Sequence, residues 1–367
     1  MIFTSTAQTF ADVATSMNLK DHPYSQRIAT TKIAHYLPQI SSYEDALAVV
    51  AKTTFFPQRA AEYPVYDRDL APVESARMTR TNAGGAIAFR SAAPDSLSND
   101  FRHAERMEGN FIYLGYLFHA YGHFMSECIS RLWPVLEAAP GNFRFVYHYT
   151  GPLHSVANGP LNMLHESHFI EHLEAIGVGA EKIVIVNRPM RFEKLIVPDQ
   201  AIMFRDAGSP IQRQIWLKIQ RVFAQKSRIG RSPEKLYLSR GGLTKMTAGR
   251  ALVNESDVED TFARAGFEIL RPHEFSRECD KIATIAQARV VGGASGSGLH
   301  NTGYMAQSAK VLQLISIFRS QGMPFQHLID HISGNSLYNH YTNFKGEEEG
   351  SWKINTDILA DELKAIL

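Results

Sequence analysis

The run Gly292-Gly293-Ala294-Ser295-Gly296-Ser297-Gly298-Leu299-His300-Asn301 packs four glycines and two serines into ten residues. It follows the apolar segment Ala288-Arg289-Val290-Val291 and should lead into a helix starting near Gly298. Glycines let a backbone approach a phosphate closely, and the N–H groups at a helix start favour an anion. Such turns line the ligand crevice of open parallel sheets. A tight strand-to-helix turn without a ligand fits the spacing equally well. It is not a Walker A loop, because no Gly-Lys-Ser/Thr follows.

A second group is Ser239-Arg240, at the end of the predicted strand Leu236-Tyr237-Leu238-Ser239, followed by Lys245, Arg250, Asn254 and Glu255. Basic residues at a strand's carboxyl end face the same crevice as the glycine turn, and an arginine offers a planar fork to a diphosphate. Arg240 is the best placed. Lys245 reads as part of a solvated loop, and Glu255 would also suit the dipole of a helix's first turn. A third group is His119, His123 and Glu127, which stack at i, i+4 and i+8 if the segment is helical. Three readings stand: a metal site, a satisfied polar face, or a histidine base oriented by a carboxylate. Asp67-Arg68-Asp69 imitates a metal-binding Asp-x-Asp, but no apolar strand precedes it, so it reads as a surface turn.

The elements that must position these groups alternate between strand and helix. Strands are predicted at 110–115, 143–147, 182–186 and 194–198, with helices over 121–136 and 160–176. Phe124, Ile129 and Leu132 supply the buried side of the first helix, which Pro134 should end or kink. Gly177 closes the second. After a boundary near Gly208-Ser209-Pro210 comes a basic helix over 212–228. Then follow a strand at 236–239, a helix over 255–265 capped by Asn254, a strand at 267–270, a helix capped by Ser276, a strand at 288–292, the glycine turn and a strand at 310–315. That order predicts an α/β protein with a parallel, doubly wound sheet in its second half. The first hundred residues show no sustained periodicity and are expected to wrap a domain. The expected division is 1–210, 211–345 and a C-terminal helix in 346–367.

The chain has 367 residues, 38 basic against 37 acidic, and two distant cysteines, Cys128 and Cys279. Near-zero net charge gives no global field for nucleic acid or an anionic membrane. The cysteines exclude a disulfide framework and favour a reducing compartment. The opening Met1–Gln8 carries no basic or apolar signal region, and no apolar run approaches the ~20 residues of a membrane span. A cytoplasmic location follows as the expectation, with at most peripheral contact at the inner face of a membrane.

Taken in order, several of these segments resemble glycosyltransferase family 61. They are Leu236-Tyr237-Leu238-Ser239-Arg240, Arg250-x-x-x-Asn254-Glu255, Gly266-Phe267-Glu268 and Val290-Val291-Gly292 through Gly296-Ser297-Gly298-Leu299-His300-Asn301. Gly122-His123-Phe124-x-x-Glu127-x-x-x-Arg131-Leu132 is similar to that family's N-terminal histidine helix, and Phe192 to Pro198 to its inter-domain strand. The resemblance implies a GT-B fold, two Rossmann-like domains facing a central cleft. It also implies inverting, metal-independent transfer from a nucleotide sugar, commonly a UDP-sugar, to a glycan or lipid-linked glycan acceptor. A signal-free, cytosolic-looking chain is similar to the bacterial members of the family, which build surface or capsular polysaccharide. The family often carries a histidine where Ser295 stands. On this reading Arg240, Arg250, Asn254, Glu255 and Ser295 through Asn301 hold the donor, while His123, tuned by Glu127, deprotonates the acceptor. No cofactor is expected. The rival readings are a non-catalytic glycan- or nucleotide-binding protein on the same fold, and a sugar-nucleotide epimerase.

Overall fold

The computed structural model describes residues 36–49, 63–77, 81–82, 85–86, 94–118, 120–137, 141–149, 169–203, 207–243, 252–305, 309–316, 323–342 and 351–367. His119, Lys245, Arg250 and residues 160–168 of a predicted helix lie outside them. The described chain forms two compact units, one within 33–219 and one within 220–367. The division falls inside the helix Ile211–Lys226.

The first unit is built on a six-stranded mixed sheet. Its strands are β1 (Ile40–Ala48), β2 (Val65–Tyr66), β3 (Glu105–Leu117), β4 (Arg144–Tyr149), β5 (Ile183–Val186) and β6 (Met190–Pro198), in the order β2-β1-β6-β3-β4-β5. β6, β3, β4 and β5 run parallel, whereas β1 is antiparallel to β6 and β2. The expectation that the first hundred residues lie outside a core is therefore corrected. β1 pairs along β6, and Ala46, Ala48 and Val65 are buried with Phe111, Tyr113, Phe192 and Leu195. Its first six residues alternate between exposed and half-buried, and only the last three are fully buried, so no apolar run announces the strand. The Asp67-Arg68-Asp69 segment is a surface turn: Asp67 Oδ1 accepts the N–H of Asp69 and of Ala71.

A second correction concerns the helix expected over 121–136. Tyr121–His123 is α-helical, Phe124–Cys128 is a π-turn, 129–131 is a turn, and Pro134 opens a separate short α-helix, Pro134–Glu137. The cause is competition for carbonyls. Trp216 Nε1 donates to Met125 O at 2.9 Å and the Tyr147 hydroxyl to Cys128 O at 2.8 Å, drawing both out of an α ladder. The apolar side was read correctly: Phe124, Ile129 and Leu132 are fully buried.

The second unit carries five parallel strands, β7 (Lys235–Leu238), β8 (Glu268–Leu270), β9 (Val290–Ala294), β10 (Lys310–Ser316) and β11 (Ser336–Thr342), in the order β8-β7-β9-β10-β11. Within the unit this is 2-1-3-4-5, a doubly wound order whose direction reverses between β7 and β9. The helices Glu255–Arg264 and Glu278–Ala286 join the first three strands. Gly266, with φ of 82°, closes the first of these helices in the left-handed conformation. The helix Thr356–Ile366 adds Leu359, Leu363 and Ile366 to a core that also holds Val258 and Phe262. Two predicted caps are corrected. Asn254 precedes its helix but makes no cap bond, because its amide is bound to Ile354. Arg277, not Ser276, stands before Glu278.

Candidate functional site

In the first unit, the early turn of the broken helix still brings His123 and Glu127 together. His123 Nδ1 is hydrogen-bonded to Glu127 Oε2. The histidine side chain is 30% exposed and the glutamate 4%, so one faces outward and the other is enclosed. A carboxylate can only accept here, so Nδ1 carries the proton and Nε2 is the basic nitrogen of the neutral ring. Glu127 also lines a small cavity with Leu114, Gly115, Tyr116, Phe118, Arg131, Ala76, Arg77 and Gln200. Nearby His148 is a core group. Its Nδ1 pairs with the Tyr113 hydroxyl, its Nε2 with Val49 O, and burial pushes its pKa down to about 4.

In the second unit, the carboxyl ends of β7 and β9 meet where the sheet reverses. Arg240, just beyond β7, donates through Nη2 to Ala294 O at 3.0 Å and Ser295 O at 2.5 Å. A Cβ on Gly296, whose φ is 145°, would stand 2.5 Å from that nitrogen, so the guanidinium lies against a position that must be glycine. Within the turn, Ser295 N donates to Leu314 O and Leu299 N to Gly296 O. The N–H groups of Gly296, Ser297 and Gly298 donate to none of the described residues. Three successive amides without a partner among the described residues, beside an arginine, have the donor chemistry that suits an anion. The helix expected from Gly298 is a 3-10 stretch, Leu299–Tyr304, of only six residues, so these amides and not a long helix dipole would attract the anion.

The remaining predicted donor residues are placed as follows. Glu255 Oε1 accepts from Arg240 N at 3.1 Å and the Tyr237 hydroxyl at 2.9 Å, and its Oε2 is buried with no hydrogen-bond partner among the described residues. Ser297 is half-buried in the turn. Asn254 is committed to Ile354 through both ends of its amide. Leu299 packs its side chain into the core with Leu236 and Val291. Asn301 Nδ2 returns to Gly298 O at 2.8 Å. His300 Nδ1 lies 2.8 Å from Gln326 Oε1.

Several supporting residues escaped the sequence reading. Ser239 Oγ donates to Glu259 and accepts from Gly241 N, while Arg271, beyond β8, grips both Glu259 oxygens at 3.1 and 3.2 Å. That clasp fixes the loop bearing Arg240. Gln313 Nε2 donates to Ser295 Oγ at 2.9 Å. A lone amide inside the apolar run Lys310–Ile315 was the legible signal. Beneath the turn, Asp330 accepts from Thr302 Oγ1, Gln326 Nε2 and Asn335 Nδ2. Burial raises its pKa to about 6 against those bonds. Because Gln326 Nε2 is spent on Asp330 and Thr302, its Oε1 faces His300, and His300 Nδ1 is the donor.

Among the described residues no three His, Cys, Asp or Glu side chains are grouped to hold a metal ion, and no helix is long and apolar enough to cross a membrane. Comparison with protein families matches residues 121–312, just over half of the chain, to Glycosyltransferase 61. Comparison with curated proteins finds no match.

Proposed function

Because the chain belongs to glycosyltransferase family 61, it is a glycosyltransferase acting on a sugar donor and an acceptor, and we propose that it is an inverting, metal-independent enzyme of the GT-B type. Its donor is a nucleoside diphosphate sugar, with uridine as the first base to test, and its acceptor a glycan of a surface polysaccharide assembled on the cytoplasmic side. The observation that carries this reading is Arg240 laid across the glycine turn at the switch point of the second sheet, beside three amides without a partner among the described residues.

In the step, the acceptor oxygen attacks the anomeric carbon. The bond from that carbon to the diphosphate oxygen breaks, and the nucleoside diphosphate leaves with the electron pair. Its developing charge falls on the amides of Gly296 to Gly298 and on Arg240, groups already oriented before reaction. The acceptor's proton passes to His123 Nε2, and Glu127 stabilises the resulting imidazolium. Buried Glu255 Oε2 supplies an acceptor for a donor hydroxyl. The test is a split in kinetics over a panel of nucleotide sugars. His123→Ala lowers turnover by about 10²–10⁴-fold with donor affinity little changed, whereas Arg240→Ala weakens the donor. Normal turnover in His123→Ala would refute the assignment of the base.

A further inference from the structure

The cavity beside Glu127 holds a group that the reaction above leaves unused. Arg131 is 2% exposed. Its Nη1 donates to Ser75 O at 2.5 Å and to Pro198 O, and its Nη2 reaches Arg77 O at 3.5 Å. Its Nε is buried without a hydrogen-bond partner among the described residues. A buried donor left unpaired costs about 1–3 kcal/mol, so something normally satisfies it. Nε faces Gly115: a Cβ there would lie 3.5 Å from it, and Gly115 has φ of 89° in an irregular stretch of β3. The missing side chain leaves a cavity of about 10 Å³, room for a single oxygen atom.

Its chemistry selects the occupant. One wall is the Arg131 guanidinium, which can only donate, and another is Glu127, which as a carboxylate can only accept. A hydroxyl satisfies both. A carboxylate or phosphate would meet the Glu127 carboxylate at close range. We propose that this cavity is an acceptor subsite that takes one hydroxyl of a neutral sugar, accepting from Arg131 Nε and donating to Glu127. The proposal rests on the acceptor-side reading of His123 and Glu127, and it makes Gly115 and Arg131 determinants of acceptor choice.

The experiment is saturation-transfer NMR on the full chain. The probes are the methyl glycosides of glucose, galactose, mannose, xylose and N-acetylglucosamine, with glucuronate as the charged control. At least one glycoside binds the wild type, and Gly115→Ala weakens it tenfold or more while the melting shift induced by UDP is unchanged. Gly115→Ser melts above Gly115→Ala, because the serine hydroxyl supplies the oxygen that Arg131 Nε lacks. Equal glycoside binding by Gly115→Ala, binding of glucuronate alone, or binding of no glycoside (a cavity that holds only water) overturns the proposal. So does a serine variant no more stable than the alanine variant. If UDP produces no shift in the wild type, the donor reading fails while the glycoside result still decides this one.

Discussion

Gly296 and Gly298 stand two residues apart in one turn, yet alanine should move them in opposite directions. At Gly296, φ is 145° and a Cβ would lie 2.5 Å from Arg240 Nη2. Alanine there adopts a conformation costing ~1–3 kcal/mol. It also pushes the guanidinium off the carbonyls of Ala294 and Ser295, bonds of a charged donor worth ~1.5–3 kcal/mol when well buried and less at this half-buried site. The sum is a loss of roughly 2–4 kcal/mol. At Gly298, φ is −62° and ψ −40°, with nothing within 4 Å of a Cβ. Alanine restricts only the unfolded chain and should stabilise by about 0.4–1 kcal/mol. Urea midpoints at unchanged slope separate the two variants. The same Gly298→Ala protein should nevertheless bind UDP at least tenfold more weakly, because its new methyl occupies space the diphosphate needs. Equal midpoints for the two variants would refute the account of Arg240 held over the turn.

Three further outcomes follow from the second unit. Asp330 has a folded pKa of about 6, raised by burial above the ordinary aspartate value of 3.8. Its stabilising contribution is therefore complete below about pH 4 and lost as pH rises through 6, roughly 3 kcal/mol in all. Asp330→Asn should flatten that part of the stability–pH profile between pH 4 and 7, read by urea denaturation. Gly292→Ala places a Cβ 2.5 Å from Phe262 Cε1, in a ring stacked on Tyr237, and should cost about 1–3 kcal/mol by overpacking, visible as a lower melting temperature. Asn254→Ala strips both partners from Ile354 and should speed hydrogen exchange in the helix Thr356–Ile366 before it affects β7.

The parallel sheet was legible because its first four strands are short aliphatic runs punctuated by glycine and proline, with helices of period 3.6 between the first three. β11, Ser-Leu-Tyr-Asn-His-Tyr-Thr, was missed because only Leu337, His340 and Thr342 are buried in it. β1 was missed for the same reason, its apolar end being three residues long. The His123–Glu127 pair was found because i, i+4 contact survives a single turn. The π-turn after it was invisible, since it depends on Trp216 and Tyr147 reaching in from distant segments. Arg240 and the glycine turn could be paired from the strand order alone. The Glu259–Arg271 clasp and the Asp330 network could not, because each joins residues whose neighbourhood only the folded sheet defines.

Calorimetry with UDP on the wild type and on Arg240→Ala tests the central claim most directly. The account predicts that UDP binds the wild type and, at 100 times its dissociation constant, adds about 2.7 kcal/mol of stability. It also predicts that Arg240→Ala loses most of this gain while remaining folded. Failure of every nucleoside diphosphate to bind, or equal binding by Arg240→Ala, would contradict it.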